Sequence, residues 1–78
     1  MILYTLKDRI QLEGFAVEVS TSDVDYLAYA DLVPETCLFW PGGTVVVEKY
    51  VAWPQAVQGH VSWLDAERVA RAIFEETR

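Results

Sequence analysis

Few side chains in this 78-residue chain could do chemistry, for it holds one cysteine, Cys37, and one histidine, His60. A cysteine–histidine dyad needs an orienting third group and an oxyanion hole. Cys37 lies in Glu-Thr-Cys-Leu-Phe, which reads as a strand interior and not as the helix start that lowers a thiol pKa. His60 follows Gly59 in a segment read as a loop. The pair is therefore expected to be a small buried hydrophobe and a loop histidine. Asp23 and Asp25 form a D-x-D, but a magnesium or calcium site needs more oxygen ligands, and the glycine of an EF-hand loop is missing. Pro41-Gly42-Gly43 is too short to cradle phosphate and lacks the following lysine, so it is a hairpin turn. The chain is expected to be no enzyme and to carry no metal or cofactor.

A stronger signal is charge. Residues 10–48 contain no lysine or arginine but seven acids, Glu13, Glu18, Asp23, Asp25, Asp31, Glu35 and Glu48. The rest of the chain is close to neutral, so the net charge of −6 belongs to the middle of the protein. Acids on a surface keep an apolar small domain soluble. If clustered, they also attract a basic surface on another molecule and speed association. Direct nucleic-acid binding is disfavoured, because phosphates would be repelled and there is no Lys/Arg cluster. Three tryptophans add a second binding signal. Trp40 precedes a tight turn and Trp53 precedes a proline, and tryptophan is enriched at binding hot spots; Trp63 is expected in the core.

These residues must be positioned by short elements. Residues 2–6 read as a strand, Lys7-Asp8-Arg9 as a turn, and residues 15–20 as a second strand entered through a bend at Gly14. Ser20-Thr21-Ser22 reads as a helix start, with Asp25 closing an acidic capping box, so a short helix is expected over 23–32, ending before Pro34. The alternative there is a strand through Tyr26 and Val33. Residues 35–53 form the clearest hairpin, turning at Pro41-Gly42-Gly43. Its return strand, from Thr44 to Val51, is apolar on both faces, which predicts a central strand or one covered by a partner. Residues 53–60 read as a connector with two breakers, and Ser62 as the start of an amphipathic helix. Ala66, Val69, Ala70, Ile73 and Phe74 form its apolar stripe.

The order ββαββα predicts one α+β domain over residues 1–78, with about four antiparallel strands and both helices on one face. At this size stability must come from apolar burial, alone or shared with a partner; 53% of the residues are hydrophobic. The short apolar start lacks preceding basic residues, and no window is long enough to span a membrane, so a cytoplasmic protein is expected. The functional expectation is a non-enzymatic acidic module that binds a basic, nucleic-acid-handling partner through Glu18, Asp23, Asp25, Asp31 and Glu35, with Trp40 and Trp53 as apolar anchors. In size and acidity it resembles the inhibitors that phages and mobile elements direct against such machines. The alternative is a self-associating accessory subunit, a homodimer formed through the strand over residues 44–51.

Overall fold

A computed structural model describes residues 2–26 and 29–77, and describes side-chain surroundings for 5–23 and 34–77. The α+β architecture is as expected, but the order is four strands followed by two helices. The strands β1 (Ile2–Gln11), β2 (Ala16–Tyr26), β3 (Tyr29–Trp40) and β4 (Gly43–Lys49) form one antiparallel sheet in sequence order. Helices α1 (Trp53–Ser62) and α2 (Ala66–Thr77) cover one face of it. Among the described residues no helix is long and apolar enough to cross a membrane.

Alternation explains why β1 runs through the expected turn. Ile10 and Asp8 pair with Val17 and Val19 on the helix-covered face, so Lys7 and Arg9 point to the open face, where charge is solvated. The bend at Gly14 is a tight turn. Leu12 N–H donates to Phe15 O at 2.9 Å, and Gly14 takes φ +93°, which glycine adopts without strain.

The expected helix over 23–32 is not there. Asp23 sits in β2 opposite Pro34, and Tyr26 pairs with Tyr29 across residues 27–28, which lie outside the description. Hydrogen-bonding partners on both sides, β1 and β3, outweigh the local capping pattern of Ser20, Thr21 and Ser22. The described residues there are extended, as in the alternative reading, but they belong to two strands paired with each other and not to one strand from Tyr26 to Val33.

The β3–β4 hairpin forms at Pro41-Gly42 as expected. Its return strand, however, is the edge of the sheet and not its centre. A register shift between Thr36 and Cys37 leaves Val47 as an extra residue in β4. This bulge lets Val45, Val47 and Glu48 all turn inward while Val46 stays 45% exposed. The two apolar faces inferred from Val45, Val46 and Val47 are thus one face and a bulge.

The expected connector is α1. Pro54 falls in its first turn, where a missing N–H leaves nothing unpaired. Gly59 lies inside this helix, and its lack of a Cβ makes room for the Tyr50 ring. Ser62 ends α1 instead of opening the next helix. Asp65 starts α2, its Oδ1 accepting the Glu67 and Arg68 amides at 3.0 and 3.1 Å. Only Val69 and Ile73 of the expected stripe are buried; Phe74 is 63% exposed.

The covered face has two halves. Towards the Pro41 turn, Val17, Val19, Leu38, Trp63, Val69 and Ile73 form an apolar core under α2. Towards the Tyr26–Tyr29 end, the inward row is polar: Thr21 lies opposite Thr36, and Thr36 opposite Glu48.

Candidate functional site

The polar half holds a chain of hydrogen bonds that crosses the sheet beneath α1. His60 sits in the last turn of α1, 2% exposed, with one ring nitrogen directed to each side. Its Nε2 is 2.8 Å from Asp8 Oδ2 and its Nδ1 is 2.7 Å from Thr21 Oγ1. Thr21 Oγ1 lies 2.6 Å from Thr36 Oγ1, which lies 2.9 Å from the Tyr50 hydroxyl. Tyr50 donates to Glu48 at 3.3 Å, and the Trp63 indole N–H donates to the same carboxylate oxygen at 2.9 Å. Arg68 closes the far end, stacked 3.8 Å from the Trp63 ring centroid and with Nη2 3.8 Å from Glu48. Burial raises the Tyr50 hydroxyl above its ordinary pKa, so it remains a donor.

Asp8, His60 and Thr21 have the connectivity of a hydrolase triad, in which a carboxylate orients an imidazole that faces a hydroxyl. Thr21, however, is fully buried and its Oγ1 is also bonded to Thr36. In this arrangement no substrate carbonyl could reach it. The chain joins β1, β2, β3, β4 and α1, and it binds elements together.

His60 and Cys37 do not meet. Thr36 points to the helices, so its neighbour Cys37 points to the open face. There burial, and then the Glu35 carboxylate 3.8 Å away, push the thiol from 9.0 up to about 11. Raising an acid pKa favours the neutral form, so at pH 8 the thiolate is about a hundredfold scarcer than for an ordinary cysteine. Alkylation by iodoacetamide should be slower by a comparable factor. It should speed up several-fold in Glu35→Gln, which removes the second cause but not the first.

The expected partner-binding residues separate along the strands. Asp23, Asp25, Asp31 and Glu35 all belong to the Tyr26–Tyr29 end of the β2–β3 hairpin. The side chains of Asp25 and Asp31 lie outside the described residues. Trp53 begins α1 three residues after Tyr50, whose N–H donates to Pro34 O at that same end. Glu18 is five residues from Asp23, about 16 Å along the strand, on the open face opposite Arg9. Trp40 is at the Pro41 turn and packs against the apolar core.

Within the grouped end, the acids are not equivalent. Asp23 points inward and is buried, with Oδ1 lacking a hydrogen-bond partner among the described residues. Glu35 points to the open face, with Lys49 opposite it on β4. Glu48, another acid of the lysine-free stretch, is held by Trp63 and Tyr50. Among the described residues there is no cluster of three metal-ligating side chains.

Sequence reasoning passed over Asp8, Thr21, Thr36 and Tyr50. The available signal was period-two: Val17, Val19, Thr21 and Asp23 turn from apolar to polar along one face, and on β3 Leu38 gives way to Thr36. No known protein family, curated protein or solved structure matches the chain.

Proposed function

We propose that this chain is a non-catalytic protein-binding module, regulating or inhibiting a nucleic-acid-handling partner by docking on its basic surface through the acidic end of the β2–β3 hairpin. The observation that carries this reading is the placement of Asp25, Asp31 and Glu35, with Asp23 among them, at one end of two paired strands. Among these residues the only cation in register is Lys49, opposite Glu35. Carboxylates gathered in this way sum their fields, raise association rates and make binding depend on salt. Glu18 and Trp40 are set apart from this surface by their positions, and Trp53 is at the same end of the sheet.

The test is a capture experiment from host extract, using the wild-type chain and Asp25→Lys/Asp31→Lys/Glu35→Lys as baits. Asp23 is left alone, because a lysine in its buried site would test folding instead of docking. The partner bound by the wild type should be lost from the triple variant and should wash off as salt is raised. Equal capture by both baits at every salt concentration overturns the reading.

Self-association is a second reading. It is favoured by β4 lying at the sheet edge with Val46 exposed, an arrangement open to strand pairing. The Val47 bulge opposes it by twisting that edge. Sedimentation at micromolar concentration should show a dimer that Val46→Lys dissociates; a monomeric wild type removes this reading.

A further inference from the structure

The five hydrogen bonds between Asp8 and Glu48 need five protons. As carboxylates the two ends only accept, while Thr21, Thr36 and Tyr50 supply one proton each and a neutral imidazole supplies one. Four protons cannot fill five bonds.

We infer that this chain is a two-state proton switch that links the β1 side of the sheet to the β4–α2 side. With the extra proton on His60, Nε2–H donates to Asp8 and Nδ1–H to Thr21. Thr21 then donates to Thr36, Thr36 to Tyr50 and Tyr50 to Glu48. When the proton leaves, Asp8 keeps the Nε2–H and Nδ1 becomes an acceptor. Thr21 must now donate to Nδ1, Thr36 to Thr21, and Tyr50 to Thr36. All three hydroxyls reverse, and the bond given up is Tyr50 to Glu48, the longest of the five at 3.3 Å. Removing a proton beside Asp8 therefore releases Glu48 on the opposite side of the sheet, where that carboxylate holds Trp63 and faces Arg68.

The described residues around the chain leave the count unchanged. Among the described side chains of β1, Asp8 reaches the ring, its side chain 53% exposed so that water can deliver the proton, while Lys7 and Arg9 point to the open face. From β2, Asp23 shares the inward face with Thr21, but its buried Oδ1 has no hydrogen-bond partner among the described residues. Among the described side chains of β3, the ionisable groups Glu35 and Cys37 are on the open face. Beyond β3 the groups involved are Glu48 and Tyr50, with Arg68 reaching in from α2.

The test follows the His60 ring and the Trp63 indole N–H together by NMR from acid to neutral pH. In the wild type the Trp63 resonance should move with the same midpoint as His60. In Thr36→Val, which keeps the shape but cuts the chain, His60 should still titrate and Trp63 should stay still. Should Thr36→Val fail to fold, Tyr50→Phe makes the cut while keeping the ring against Gly59. A Trp63 resonance that ignores His60 in the wild type, or that follows it when the chain is cut, overturns the inference.

Discussion

Trp63→Ala is expected to bring the domain close to unfolding, at a cost of about 3–5 kcal/mol. The side chain is 7% exposed at the junction of α1 and α2, in contact with the Val17, Val19, Leu38, Val69 and Ile73 cluster. Its loss leaves a cavity that the sheet and the helices over it cannot collapse around. It also strips Glu48 of its indole donor and Arg68 of the ring it stacks on. A chain of this size has about 4–12 kcal/mol of stability in all, so the melting temperature should fall by more than about 15 °C. Trp63→Phe keeps most of the volume and loses only the donor, which should cost about 1–2 kcal/mol. Thermal denaturation followed by circular dichroism distinguishes the two. Near-wild-type melting of Trp63→Ala would mean the cluster does not depend on the indole.

The second large effect is a change of sign. Gly59→Ala would ordinarily stabilise a helix interior by about 1 kcal/mol. Here the added Cβ would overlap the Tyr50 ring and its hydroxyl. The ring must move, and with it go the bonds to Thr36 and Glu48. A net loss of about 2 kcal/mol or more is expected, from overpacking together with an unpaired buried hydroxyl. With Tyr50→Leu in the background the obstruction is gone, and the same Gly59→Ala should become neutral or stabilising. A double-mutant cycle by urea denaturation measures this coupling directly. Additive effects would show that the two residues do not press on each other.

Much of the architecture could be read from local chemistry. Pro41-Gly42-Gly43 can only turn, and the strands on either side are β-branched and aromatic, so the β3–β4 hairpin was legible. The last helix was legible too, since Val69 and Ile73 sit at helical spacing behind the Asp65 cap. Residues 23–32 look helical because Ser22 and Asp25 satisfy a capping rule that also tolerates an extended chain. What decides between them is the pairing of β2 with β1 and β3, which is non-local. Residues 53–60 contain two ordinary helix breakers, yet Pro54 occupies a first turn and Gly59 makes room for Tyr50, nine residues earlier. The acidic end could be anticipated as charge but not as a place, because Asp23 and Glu35 become neighbours only once β2 and β3 pair. The polar chain was the hardest to see. Asp8 and His60 are 52 residues apart, and nothing near either one announces the other.

The divided interior means that the domain's two ends should answer differently to temperature. Burial of Val17, Leu38 and Ile73 draws its driving force from water and weakens on cooling. The Asp8–Glu48 chain draws on direct hydrogen bonding through the buried Thr21, Thr36, Tyr50 and His60, which cold does not weaken in the same way. Chilling should therefore loosen the α2 end first, while the hairpin proposed to meet a partner keeps its shape.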